Sequence, residues 1–145
     1  MHWGFYSTAL ELISKYHSNQ KDLVGNPYSE HLERVSKSCT TADGKLVALL
    51  HDILEDTDCT EEILKKNFPN SIVETVKLLT RKKGENYKDY INRVATNPIA
   101  VEVKFADLKD NLDVLRLGRP ITEKDLHRLN KYIESYNFLK TLNYE

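Results

Sequence analysis

The sequence predicts an all-α protein: a single-domain helical bundle of about seven to nine helices. Three observations predict it. Apolar residues recur at helical spacing in one segment after another. Helix-start chemistry stands before several of those segments. Only five Gly and four Pro occur in 145 residues, too few for a loop-rich β fold or a disordered chain.

The first helix is expected from about Trp3 to Tyr16, where Phe5, Ala9, Leu12, Ile13 and Tyr16 form one stripe. His17 ends it as a C-terminal cap partner. A polar loop follows and closes on Gly25-Asn26-Pro27-Tyr28, which is turn chemistry. Ser29 is the expected N-cap of the second helix, which carries His31, Leu32, Val35 and Cys39. Thr40 or Thr41 caps a third, strongly apolar helix that runs to His51-Asp52. Thr60 starts a short helix through Ile63, Leu64 and Phe68, and Pro69 breaks it. Ile72, Val73, Val76 and Leu79 mark the next helix, with Thr80 near its end. The basic run Arg81-Lys82-Lys83-Gly84-Glu85 then reads as a loop, and Tyr87, Tyr90, Ile91 and Val94 as a further helix.

Asn97-Pro98 is a strong helix start, with Asn as cap and Pro at the first helical position. The helix runs on to Leu112 and is apolar nearly all round in its first half, as a central helix should be. Gly118-Arg119-Pro120 is expected to stop it. Thr122 and Asp125 resemble a capping box for the last helix, from Glu123 to about Leu142. Its expected packing face is Leu126, Leu129, Ile133, Phe138 and Leu139.

Composition narrows the function classes. A net charge of −1 gives no global field for nucleic acid or an anionic membrane. No apolar run approaches the roughly 20 residues of a membrane span. The N-terminus lacks the basic and apolar regions of a signal peptide. Cys39 and Cys59 form no CxxC pair and suit a reducing cytoplasm. No linker or repeat divides the chain, so residues 1–145 are expected to form one domain.

The chemistry concentrates at His51-Asp52-Ile53-Leu54-Glu55-Asp56-Thr57. Four ionisable groups crowd into six residues at the end of an apolar helix. Acids at a helix C-terminus oppose its dipole, and a cation would relieve them. A solvated acidic helix end is the ordinary reading of such a run, and a lone His such as His31 is usually structural. Asp107, among Val103, Ala106 and Leu108, needs a partner if buried. Lys104 or Arg116 could be that partner, or a metal could. Taken together, His31, His51, Asp52 and Asp107 make a mixed nitrogen–oxygen donor set without thiolates. That set suits Mn²⁺, Fe²⁺, Co²⁺, Ni²⁺ or Zn²⁺ and disfavours Ca²⁺. Glu55 and Asp56, one helical turn beyond His51 and Asp52, are candidates to take a proton from a water.

Three words in the chain carry a resemblance. Pro27-Tyr28-Ser29-Glu30-His31, His51-Asp52-Ile53-Leu54-Glu55-Asp56-Thr57 and Lys104-Phe105-Ala106-Asp107-Leu108-Lys109-Asp110-Asn111-Leu112 resemble the PYxxH, HDxxEDT and KxADxxxNL words of the RelA/SpoT-type hydrolase domain, within the HD superfamily of metal-dependent phosphohydrolases. The similarity covers roughly residues 3 to 117 and fits the small hydrolases that lack a synthetase domain, the metazoan type included. It implies hydrolysis of the alarmone (p)ppGpp to GDP or GTP and pyrophosphate, with Mn²⁺ as the metal and a small nucleotide as the partner. It further implies His31, His51, Asp52 and Asp107 as metal ligands and Glu55 and Asp56 as the catalytic pair. Asn111 and Lys21 would meet the nucleotide, with Arg81 and Lys104 as further substrate contacts. Gln20 stands where the family commonly has an Arg that stacks on the base, and Gln has no guanidinium plane. That difference keeps two other readings open: the same site acting on another phosphorylated nucleotide such as NADPH, and a nucleotide-binding regulator without turnover.

Overall fold

In the computed structural model, which describes residues 2–142 with side chains from residue 4, the chain is helical throughout. The elements are α1 (His2–Tyr16), α2 (Tyr28–Ser38), α3 (Ala42–Leu50), α4 (Ile53–Asp56), α5 (Glu61–Asn67), α6 (Asn70–Leu78), α7 (Tyr87–Val94), α8 (Pro98–Asn111), a 3₁₀ turn (Val114–Leu117) and α9 (Glu123–Lys140). No strand forms among the described residues. No helix among them is long and apolar enough to cross a membrane.

The bundle is centred on α3, which packs against α1, α2, α6 and α8. Its residues Leu46, Val47, Ala48, Leu49 and Leu50 are all buried. An α-helix apolar on every side is stable only when enclosed, and these neighbours enclose it. The second inner helix, α8, buries Ala100, Val101, Val103, Ala106 and Leu108. Each fully buried Leu or Val stabilises the fold by about 1.5–3 kcal/mol. Cys39 and Cys59 are both buried and unpaired in this interior.

Local chemistry sets the helix starts. Asn97 accepts from the backbone N–H groups of Ile99 and Ala100, with Pro98 at the first helical position. Thr122 and Asp125 form the reciprocal capping box. Thr41 caps α3 and Thr60 caps α5. Glu102 of α8 accepts from the backbone N–H groups of Thr40 and Thr41 at 2.7 and 3.1 Å, which locks the start of α3 to α8. Gly44 lets the two approach: a Cβ there would stand 2.2 Å from Glu102 Oε1.

Four expectations need correction. Ser29 is not the cap of α2; the helix begins two residues earlier than such a cap would place it, at Tyr28, with Pro27 at the cap position and no side-chain cap bond. The α3 helix stops at Leu50, so His51 and Asp52 form a tight turn before the single-turn helix α4. Gly118 does not end α8, which stops at Asn111. It ends the 3₁₀ turn instead, in the left-handed conformation at φ 63°. On α9, Leu129 and Leu139 are buried, but Leu126, Ile133 and Phe138 are 40–50% exposed. Tyr132 and Tyr136 pack inward in their place.

Candidate metal centre

Three elements converge on one spot: α2 supplies Tyr28 and His31, the turn between α3 and α4 supplies His51 and Asp52, and α8 supplies Lys104, Asp107, Asp110 and Asn111. The sharp end of α3 projects His51 and Asp52 out of the bundle centre toward α2 and α8. His31, His51 and Asp52 offer ligand atoms that all lie within 4.8 Å of one another. Asp107 joins them, with Oδ1 2.9 Å from His31 Nε2 and 3.3 Å from His51 Nε2. All four side chains lie in or against the core, and His51 is only 2% exposed.

Around this centre each donor is held from behind. His51 Nδ1 donates to the backbone oxygen of Ala48 at 2.6 Å. That bond keeps a proton on Nδ1 and turns Nε2 toward the carboxylates. His51 Nε2 is buried and has no hydrogen-bond partner, although Asp52 Oδ2 is 3.2 Å away. Tyr28 donates to Asp52 Oδ2. Lys104 Nζ donates to Asp107 Oδ2 at 2.9 Å, and Asn111 Nδ2 to Asp107 Oδ1 at 3.2 Å.

The electrostatics run in one sense. Burial pulls the pKa of His51 down, but the carboxylates of Asp52 and Asp107 outweigh it and hold the pKa well above the ordinary value. His31 is raised too, as hydrogen bonds to Asp107 and Asp110 overcome burial. Burial would raise Asp107, yet the Lys104 ammonium and the imidazoles hold it well below the carboxylate range. The imidazoles thus lie among negative charges, and Asp107 stays ionised among cationic partners. An orphaned imidazole nitrogen beside two carboxylates and a second imidazole is a fitting set for a first-row divalent cation.

The remaining predicted residues separate. Asp56 stands near the cluster at its exposed rim. Partial burial of its carboxylate and the negative charges of Asp52 and Glu55 push it up to about 6. Glu55 turns away from the centre, where its Oε1 accepts the backbone N–H of Arg81 at 2.8 Å. Arg81 lies with Glu55 on a second cleft, formed by the loop before α7, and its guanidinium sits over the Tyr87 ring. Lys104 lies in the interior behind Asp107 instead of on a substrate-facing wall, with Tyr90 beside its ammonium. Lys21 and Asn111 do share a space: a cleft of about 400 Å³ that opens beside His31. Arg34, Arg116, Arg128 and Tyr132 also line it.

Sequence reasoning passed over several of these residues. His17 is no cap: it is buried, its Nδ1 meets Gln20 Oε1 at 2.6 Å, and its ring packs on Tyr28. Asp110 accepts from His31 Nδ1 at 2.5 Å, and Arg34 Nε donates to Asp110 at 2.8 Å. The available signal for Tyr28 was its place in the Pro27-Tyr28-Ser29-Glu30-His31 word. Asp110, three residues beyond Asp107, was visible as a second acid on the same helix face.

The architecture is an all-helical bundle with a His/Asp cluster at its centre. Comparison with known proteins agrees. No family model matches the chain. The guanosine-3′,5′-bis(diphosphate) 3′-pyrophosphohydrolase of Aquifex aeolicus is 30% identical over 130 residues, covering 81% of this chain and 19% of that protein. The enzyme of that name from Drosophila melanogaster is 33% identical over 112 residues, covering 70% and 63%. The bifunctional (p)ppGpp synthase/hydrolase SpoT of Escherichia coli is 30% identical over 129 residues, covering 77% and 18%. The chain thus spans about a fifth of the length of these two bacterial relatives. A solved structure, described as a metazoan ortholog of SpoT that hydrolyzes ppGpp, superposes with a TM-score of 0.78 at 25% identity. The match covers 96% of this chain and 85% of that one. The chain is thus similar to these SpoT-related proteins in sequence over most of its length, and to one of them in fold.

Proposed function

We propose that the protein is a Mn²⁺-dependent (p)ppGpp 3′-pyrophosphohydrolase, releasing pyrophosphate and GDP or GTP from a small-molecule nucleotide. The observation that carries this reading is the convergence of His31, His51, Asp52 and Asp107 from three elements, with His51 Nε2 buried and unpartnered among them. These four side chains would hold the ion. When bound, a divalent ion neutralises phosphoryl charge and lowers the pKa of a water toward neutrality.

The chain's own groups supply the rest. Ala48 oxygen and Tyr28 orient His51 and Asp52. Lys104 and Asn111 hold Asp107. Asp56, with its carboxyl raised to about 6, is the better placed of the acid pair to take the water's proton near neutral pH. Glu55 instead anchors the Arg81 loop beside it. The cleft beside His31 receives the nucleotide, with Lys21 and Asn111 as contacts and Arg34, Arg116 and Arg128 lending positive charge.

The test is pyrophosphate release from ppGpp, with and without Mn²⁺, in wild type and Asp52→Ala. Metal-dependent release that disappears in the variant is the expected result. A folded, Mn²⁺-loaded wild type that leaves ppGpp intact would overturn the reading.

One observation favours a second reading, the same site acting on another phosphorylated nucleotide such as NADPH. Gln20, at the position of the family's base-stacking Arg, is tied to His17, and Lys21 is the one cation between residues 18 and 27. A kcat/KM far higher on NADPH than on ppGpp would select it.

A further inference from the structure

His31 has two ring nitrogens with different surroundings. Nε2 faces inward, 2.9 Å from Asp107 Oδ1, within the donor cluster. Nδ1 faces the opposite way, 2.5 Å from Asp110 Oδ2. Only Nε2 can serve a cation at the centre, so Nδ1 must keep its proton. His51 achieves the same through Ala48 oxygen, a fixed backbone acceptor. For His31 the acceptor is a side chain, so it has to be held in place.

Asp110 is held firmly. Arg34 grips it with two bonds, Nε to Oδ1 at 2.8 Å and Nη2 to Oδ2 at 3.1 Å. Arg116 Nη2 reaches Asp110 Oδ2 at 3.1 Å and also bonds its backbone oxygen. The Asp110 side chain is only 12% exposed. A planar guanidinium that meets a carboxylate along one edge fixes its orientation as well as its position. The arrangement is a carboxylate–imidazole pair aimed at the centre, with two arginines setting the carboxylate.

The geometry points to Asp110 as a positioning residue for the metal centre: it holds the proton on His31 Nδ1 so that Nε2 is presented as a donor, and Arg34 and Arg116 hold Asp110. The inference rests on the metal-site reading above. A partner in this place fixes ring orientation and tautomer and makes the ligand more basic, and its loss costs roughly 10- to 100-fold in metal affinity. Asn in place of Asp keeps an oxygen acceptor for Nδ1–H, so that variant should restore part of the loss.

The test uses Co²⁺ as a spectroscopic probe on the full chain, with wild type, Asp110→Ala, Asp110→Asn and Arg34→Ala. Co²⁺ affinity and the visible ligand-field spectrum are measured, together with the ¹⁵N chemical shifts of the His31 imidazole. Circular dichroism shows that each variant is folded. Expected are Co²⁺ binding weakened roughly 10- to 100-fold in Asp110→Ala, an altered spectrum, partial recovery in Asp110→Asn and a smaller loss in Arg34→Ala. If Asp110→Ala does not fold, the Asn and Arg34 variants decide. Wild-type affinity and spectrum in the folded Asp110 variants, or an unchanged His31 tautomer, would overturn the positioning role while leaving the metal site intact. Failure of the wild type to bind Co²⁺ would overturn both.

Discussion

Tyr28 donates its hydroxyl hydrogen to Asp52 Oδ2, which ties the first residue of α2 to the turn after α3. The bond spans 24 residues of sequence and closes one side of the donor cluster. We predict that Tyr28→Phe removes about 2 kcal/mol of stability, the usual contribution of a hydrogen bond to a charged group. The Mn²⁺ concentration giving half-maximal pyrophosphate release should also rise about tenfold, as for other losses behind a metal ligand. Urea denaturation and a Mn²⁺ titration measure the two effects. An unchanged Mn²⁺ requirement would show that Asp52 holds its position without the phenol.

Lys104 and Asp107 form a buried ion pair at 2.9 Å, both below 10% exposed. Removing one member of such a pair strands the other charge, at a cost of about 3–5 kcal/mol. Lys104→Ala should therefore lower unfolding stability by about that amount, measured in chelator. Added Mn²⁺ should recover part of the loss, since the cation takes over as counter-charge to Asp107. A loss below 1 kcal/mol in chelator would show that the imidazoles alone suffice for Asp107.

The loop before α7 carries a pH-dependent brace. Glu85 accepts from Arg93 Nε and Nη2 at 3.0 and 2.7 Å and from the backbone N–H of Lys82 at 3.0 Å. The Arg93 bonds, with that of Lys82, lower its pKa from an ordinary 4.5 to about 2. A carboxylate with a depressed folded-state pKa stabilises the fold above its unfolded pKa and loses that contribution as pH falls through the folded one. The difference in Tm between wild type and Glu85→Gln should thus be constant above about pH 5 and shrink between pH 4.5 and 2. A Tm difference that stays constant across this window would assign the brace to shape alone.

Metal should act as a ligand of the folded state. A protein stripped by chelator and then given Mn²⁺ at 100 times its Kd should gain about 2.7 kcal/mol, because the unfolded chain has no assembled site. Ca²⁺ should give little, since two imidazoles suit it poorly. Thermal denaturation with each ion makes the comparison. Equal stabilisation by Ca²⁺ would indicate a diffuse acidic surface in place of the His/Asp centre.

The parts of the fold legible in the sequence were those fixed by local chemistry. Asn97-Pro98 and Thr122 with Asp125 define helix starts through bonds spanning two or three residues, and these were read correctly. The packing face of α9 was legible only in part, at Leu129 and Leu139. Leu126, Ile133 and Phe138 are apolar, but they lie off the stripe formed by Leu129, Tyr132, Tyr136 and Leu139. The tyrosines' polar tips hid that they pack against the core. At the site, a local word brought out His51 and Asp52. The bond between His31 and Asp110 spans 79 residues and depends on how α2 lies against α8, so no local pattern announces it. The sequence allows Lys104 to be either an ion-pair partner of Asp107 or a substrate contact, because a lysine beside an acid can point either way. Only packing shows that it faces the interior.

Cys39 and Cys59 are 2% and 4% exposed, at the end of α2 and between α4 and α5. Burial pushes the Cys39 thiol up to about 12, and a thiol with so little thiolate is a poor nucleophile. To an alkylating reagent the native protein is therefore nearly blank. The rate at which each sulfur becomes modified is a clock for the opening of the structure above it. One clock runs at the exit of the helix that carries His31 and the other just past the acidic turn, so the two flanks of the centre can be timed separately in the same tube.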